Sequence, residues 1–215
     1  MRLSAENTGD VPWAWIRKLD YMVQDPTPTP DGSLPVELLP WLYISHEKSA
    51  LNESKLKIIG ITHVLSMNAM PSYHQKQVAE YYRARDIEHV RVSAEDEEGY
   101  NLIEKHWDEC YNFLNNALAS EGSKIRVHCS AGINRSALIA CAAYRFWEKK
   151  DVLYVVKDCF EKRGCIFTNK SFQKELCIFA ARHNLLGDKP EGFADDPIKP
   201  NELPPPPRRA LDRLL

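Results

Sequence analysis

The chain has no block of lysine or arginine, and its formal charge is only −2 over 215 residues. That excludes a polybasic grip on nucleic acid or on an anionic membrane as its organising feature. No apolar run approaches the ~18 residues a membrane span needs. No Arg/Lys-led apolar leader opens the sequence, and no glycine stands at position 2 to take a myristoyl chain. The expectation is an intracellular protein, cytoplasmic or nuclear, with no membrane or nucleic-acid partner. Six cysteines include no Cys-x-x-Cys pair, and seven histidines are scattered without zinc-ligand spacing. Buried free thiols in a reducing compartment are therefore expected, with no metal and no cofactor.

What is present is one long stretch of alternating strand-like and helix-like patterns between two irregular ends. The spacing predicts three parts: residues 1–35 as an amphipathic helix and Pro-rich connector, 36–186 as one catalytic-sized domain, and 187–215 as a disordered Pro-rich tail. In the first part Asp10 can cap a helix to about Val23, with Pro12, Trp15, Ile16, Leu19, Met22 and Val23 on one stripe. Trp13 and Tyr21 lie off that stripe. Something must cover it, and the stiff connector from Asp25 to Pro35 offers exchange onto a second copy, a homodimer through residues 12–23. Within the domain, Leu42–Ile44, Ile61–Met67 and Ile87–Val92 read as strands, and Lys48–Ile59 as a helix. Ile103, Trp107, Cys110, Leu114, Ala117 and Leu118 form a core-facing helical stripe, Ala137–Phe146 is apolar nearly all round, and Val152–Phe160 and Phe172–His183 add two more helices. This order predicts an α/β fold with a mostly parallel sheet flanked by helices. In the tail, Pro204 to Arg209 satisfies a Pro-x-x-Pro-x-Arg pattern suited to an SH3-type partner.

The chemistry concentrates at Lys124–Ser136, KIRVHCSAGINRS. Ile125 and Val127 alternate on a short strand, and Ser136 opens the apolar helix. Between them Cys129, Ser130, Ala131, Gly132, Ile133, Asn134 and Arg135 form a loop whose amides converge at a helix N-terminus, an anion site. Gly132 frees the backbone, and Arg135 carries a planar fork suited to phosphate. Amides, helix end and Arg135 all favour thiolate over thiol, which makes Cys129 a nucleophile. His128, directly before it on the strand, points the other way and orients the loop.

With Val-His-Cys before it, Ala-Gly inside it and Arg-Ser closing it, this stretch resembles the Cys-x5-Arg signature of the dual-specificity branch of the Cys-based protein phosphatases. Gly60 to Leu65, Gly-Ile-Thr-His-Val-Leu, resembles the family's amino-terminal half, with Ser45 where a glycine is common. The resemblance implies hydrolysis of phosphotyrosine and phosphoserine/phosphothreonine in proteins through a phosphocysteine. It also implies a role for the Ser136 hydroxyl in bonding the departing thiolate, and an upstream Asp as general acid. Asp96 fits that place: it is the only Asp in the acidic run Glu95–Glu98, and Tyr100-Asn101-Leu102 follows it. Glu97 is its rival. Thr168 to Phe172 resembles a family Pro-Asn-x-Gly-Phe turn, with Thr for Pro and Ser for Gly. Asn169 there either braces the site loops or simply caps a helix. The chain lacks the lysine-asparagine-arginine-tyrosine segment of deep-pocket tyrosine enzymes, so a shallow pocket is expected. Uncharged Ser130, Ala131, Ile133 and Asn134 argue against a phosphoinositide substrate. Two alternatives stay open: an RNA 5′-triphosphatase, which shares the Asn134-Arg135 pair, and a non-catalytic phosphoprotein-binding module. The Asn-Arg-Ser variant also recurs in phosphatases of large DNA viruses, so a place in a host cell or virion stays open as well.

Overall fold

The structure, a computed structural model, describes residues 11–30, 33–69 and 72–197. A five-stranded sheet runs in the order β1-β2-β5-β3-β4. Its strands are β1 (Val36–Leu39), β2 (Leu42–His46), β3 (His63–Ser66), β4 (Glu88–Arg91) and β5 (Ile125–Cys129). β1 alone is antiparallel, an edge hairpin on β2; the remaining neighbours are parallel. Sequence patterning misses β1, because Val36–Leu39 is short and has Pro35 and Pro40 at its ends.

The helices are α1 (Trp13–Met22), α2 (Glu47–Ala50), α3 (Glu53–Ile59), α4 (Ser72–Arg83), α5 (Leu102–Leu118), α6 (Arg135–Glu148), α7 (Val152–Arg163) and α8 (Lys170–Arg182). The single helix expected over Lys48–Ile59 is two. Asn52 breaks it by leaving helical geometry and accepting from the Lys55 amide at 3.1 Å, a new N-cap. α6 is buried on every face from Ser136 to Arg145, as its all-round apolar sequence requires, and packs against α5, α7, α8 and the sheet. β5 is buried at all five positions, so its terminal Cys129 sits at the centre of the C-terminal edge. That edge is where parallel sheets place ligands.

The α1 stripe is covered within the same chain. Ala14, Ile16 and Leu19 are buried, and the helix lies on α7 and α8. Residues 187–197, expected to belong to a disordered tail, instead run along α1. The Ala14 amide donates to Asp195 Oδ1 at 3.2 Å, and Arg17 donates to the carbonyls of Ala194 and Asp196. Asp195 thus places a carboxylate at the start of α1, where the helix dipole favours one. Composition hides this, because the segment gains its order from a partner far away in sequence. Lys174 lies over Trp13, and Tyr21 packs on Phe193, so both off-stripe aromatics find partners in cis. The cap expected at Asp10 and the Pro204–Arg209 pattern lie outside the described residues.

All six cysteines are free and buried. Burial pushes the Cys110, Cys159 and Cys177 thiols up, which keeps them protonated and inert. Among the described residues no helix is long and apolar enough to cross a membrane, and no His/Cys/Asp/Glu cluster could hold a metal ion.

Candidate active site

Cys129 ends β5 and Arg135 begins α6, so the loop between them bends over the helix N-terminus. The Cys129 thiol is buried beneath it. Its Sγ lies 3.2 Å from the Ser136 Oγ and accepts the Gly132 amide at 3.2 Å. Gly132 has φ +68, and a Cβ there would stand 2.7 Å from the Ser45 carbonyl carbon and oxygen. Only glycine satisfies both conditions.

The loop's carbonyls settle which way its amides face. Ser130 O accepts from the Glu47 amide, Ala131 O from Arg163 Nη2, Gly132 O from Arg163 Nε, and Ile133 O from the Phe167 amide, at 3.0–3.2 Å. All four oxygens are held outward by β2–α2, the end of α7 and the α7–α8 connection. The N–H groups of Ser130, Ala131, Ile133 and Asn134 have no acceptor among the described residues. Because each trans peptide that turns an oxygen out turns the next amide the other way, the Ala131, Ile133 and Asn134 amides face the open side of the cradle.

Arg135 donates through Nη1 to Ala94 O at 3.1 Å and through Nη2 to Ser130 Oγ at 3.2 Å. Its Nε is buried without a hydrogen-bond acceptor and lies 3.6 Å from Asp96 Oδ2. The acid loop is therefore brought onto the same spot as the phosphate loop. Asp96 is held from behind by Asn169, whose Nδ2 donates to Asp96 Oδ1 and to the Glu97 carbonyl, each at 3.2 Å. The Asn169 Oδ1 meanwhile accepts the Ser171 amide and hydroxyl, which caps α8. The two roles offered for Asn169 are one residue's two ends. Glu97 presents only its carbonyl to this network, and its side chain is exposed.

His128 is buried, with Nε2 2.7 Å from Ser66 Oγ, which in turn lies 2.9 Å from His89 Nε2. Burial pushes His128 well below the ordinary histidine range, and Arg126, Arg91 and His89 push it further the same way. A neutral ring fixed by Ser66 props the strand beneath the nucleophile and carries no titratable proton near neutrality.

Several positioning groups escape the sequence reading. Arg163, buried at the end of α7, holds two loop carbonyls. Glu98 accepts the Lys170 and Ser171 amides at the start of α8. Glu175, on α8, accepts the first three amides of α5. Asn134, expected only to supply an amide, also exchanges hydrogen bonds with the Thr168 hydroxyl and accepts the Asn169 amide. No local pattern marks these groups, since each partner lies more than thirty residues away. Chemically, the arrangement offers a thiol, an anion cradle, a guanidinium with an open donor and a carboxyl on the opposite wall.

Comparison with known proteins points the same way. The family model described as "Dual specificity phosphatase, catalytic domain" matches residues 42–182. The chain is 31% identical over 146 residues to dual specificity protein phosphatase 26 of Homo sapiens, covering 68% of this chain and 67% of that protein. It is 30% identical over 159 residues to protein phosphatase Slingshot of Drosophila melanogaster, covering 72% of this chain but 14% of that protein. Among solved structures, DUSP15 superimposes with TM-score 0.58 at 26% identity, over 74% of this chain and 97% of that one. Human DUSP28, at 19% identity and TM-score 0.60 over 74% of this chain and 99% of that one, shows the shared fold.

Proposed function

The chain belongs to the dual-specificity phosphatase family and is a protein phosphatase, and we propose that Cys129, Arg135, Asp96 and Ser136 carry its reaction. The observation that supports this most is the loop itself. Four carbonyls are satisfied outward, while the amides of Ala131, Ile133 and Asn134 have no acceptor among the described residues, and the buried Arg135 Nε has only Asp96 Oδ2 at 3.6 Å. Donors left open in so constrained a place suit an oxyanion.

In this reading the Cys129 thiolate attacks the phosphorus of a phosphorylated tyrosine, serine or threonine. The S–P bond forms as the P–O bond to the side chain breaks, and Asp96 gives its proton to the departing oxygen. Arg135 and the loop amides hold the equatorial oxygens through the transition state. Asp96, now a carboxylate, takes a proton from water as that water attacks the phosphocysteine and releases inorganic phosphate. The Ser136 hydroxyl, 3.2 Å from the sulfur, stabilises the thiolate as it leaves. The RNA and pseudo-enzyme readings are not needed beside this family assignment.

The test is a side-by-side assay on phosphotyrosine and phosphothreonine peptides, a phosphoinositide and a triphosphate-ended RNA. Turnover of both peptides well above the other two is expected; turnover of the RNA alone would overturn the protein substrate.

Further partners follow from the sequence. An SH3-type domain for Pro204–Arg209 is tested by titrating such a domain with the full chain and with an Arg209→Ala variant. A homodimer exchanging residues 12–23 has less support, since the α1 stripe is covered in cis. Sedimentation of the full chain decides it: a monomer at micromolar concentration ends the exchange. An intracellular location is proposed from the free thiols and the reactive cysteine, which need a reducing compartment.

A further inference from the structure

Residues 27–30 lie outside the matched family region, yet they reach the back of the phosphate loop. The Thr27 amide donates to the Gly164 carbonyl at 2.7 Å. Thr29 Oγ1 donates to the Arg163 carbonyl and accepts Arg163 Nη1 at 3.3 Å. The remaining nitrogens of that guanidinium, Nε and Nη2, hold the carbonyls of Gly132 and Ala131. One planar group is thus clamped between the connector on one side and the nucleophile's loop on the other. Gly164, at φ +78, completes the joint, since a Cβ there would land on the Thr27 carbonyl oxygen.

We infer that residues 27–29 form a strap which, through Arg163, sets the aim of the phosphate-loop amides, so that Arg163 and Thr29 are positioning residues for the reaction at Cys129. The physical reason is geometric. A guanidinium is rigid and presents its donors in one plane, so fixing Nη1 and the Arg163 backbone fixes where Nε and Nη2 point. Those two donors hold Ala131 and Gly132 oxygens outward, and each peptide plane that turns an oxygen out turns an amide toward the cradle. Releasing Thr29 removes one of the bonds that set the tilt of the guanidinium, the two peptide planes relax with it, and the oxyanion loses aligned donors. The helix α7 that carries Arg163 stays in place, because Val152, Val155, Val156 and Cys159 bury it independently.

The inference rests on the reading of this loop as a phosphate cradle, and the experiment separates the two. In the full chain, Thr29→Val, Thr29→Ser, Gly164→Ala and Arg163→Lys are compared with the unaltered protein. Competitive inhibition by inorganic phosphate, the kcat and KM of an aryl phosphate across pH, and the thermal midpoint are measured for each. Loss of one hydrogen bond to a charged group predicts a ~10-fold weaker inhibition constant for phosphate in Thr29→Val. The kcat for the aryl phosphate falls by a similar factor, because the transition-state oxyanion loses the same aligned amides. Thr29→Ser restores both. Gly164→Ala, which displaces the strap without touching Arg163, reproduces the Thr29→Val shifts, and Arg163→Lys exceeds them. Unchanged phosphate inhibition and kcat in both Thr29→Val and Gly164→Ala overturn the strap, as does a Thr29→Val loss that follows only from a lowered thermal midpoint. An unaltered chain that binds no phosphate overturns the cradle and the strap with it.

Discussion

Asn169→Asp separates two functions that one side chain performs at once. Aspartate caps helices as well as asparagine does, so its Oδ can still accept the Ser171 amide that Asn169 accepts at 3.1 Å. The other end reverses. Nδ2 donates to Asp96 Oδ1 and to Glu97 O, both at 3.2 Å, and an aspartate oxygen in its place has nothing to donate and repels both acceptors. α8 therefore keeps its cap, worth about 1 kcal/mol, while the acid loses its brace. One charge-assisted hydrogen bond, ~1.5–3 kcal/mol, corresponds to roughly a 10–100-fold loss if it is needed fully in the transition state. Phosphate esters with leaving groups of increasing basicity form the assay, because a poor leaving group depends most on the proton. The deficit should grow along that series and vanish when Asp96 is already Asn. An Asn169→Asp enzyme with wild-type rates for alkyl phosphates refutes the bracing argument.

Asp96→Asn itself should slow aryl phosphates ~10²–10⁴-fold and flatten the basic limb, whereas Glu97→Gln, whose side chain is exposed, should leave kcat within a factor of about two; the reverse pattern would move the acid to Glu97. Cys129→Ser should abolish turnover yet retain a phosphopeptide in a pull-down or calorimetric titration, since the cradle is intact. Gly132→Ala should cost roughly 10²-fold or more in kcat/KM, because its Cβ cannot share space with the Ser45 carbonyl. Burial, with Arg91 and Arg126 adding to it, lowers His89 to about 4, so the unfolded chain takes up a proton near pH 6.5 that the folded chain refuses. Stability from this group is complete above that range and lost as pH falls through 6.5 toward 4. With part of the ring near solvent, the loss is about 2–3 kcal/mol, and urea unfolding at pH 7 and pH 4.5 should show it shrinking in His89→Gln.

The residues of the proposed chemistry are legible in the sequence and their framing is not, for a physical reason. Cys129, Gly132, Arg135 and Ser136 lie within one strand-loop-helix turn, so spacing alone carries their geometry. The α/β class with its mostly parallel sheet follows from apolar strands alternating with amphipathic helices, though not the order of the strands. Asp96 is reached through the family resemblance, which implies an upstream acid, and through its being the only Asp in the acidic run, with Glu97 as its rival. What spacing cannot carry is a contact between distant segments. Arg163 looks like the basic last turn of an ordinary helix, and only the fold turns it inward to Ala131 and Gly132. Glu98 reads as one more solvated acid until α8 arrives above it. Residues 187–197 read as tail because prolines and charges predict no core, yet α1 supplies the surface they lack.

Carboxylates on either side of the acid loop have a consequence for timing. Glu98 ties the loop's middle to the start of α8, Asn169 ties Asp96 to the same helix, and Glu175 returns from α8 to seize the amides of α5 where the loop ends. A loop fastened at three points to one rigid rod has already surrendered its freedom, at roughly 1–2 kcal/mol per residue, when the chain folds. With Asp96 as the proposed acid, each substrate then meets its proton donor already in place, and encounter carries no ordering toll on this wall of the site. Turnover should accordingly show no lag attributable to loop closure, and the rate of productive encounter should follow solvent viscosity, as diffusion does, more closely than a gated enzyme's would.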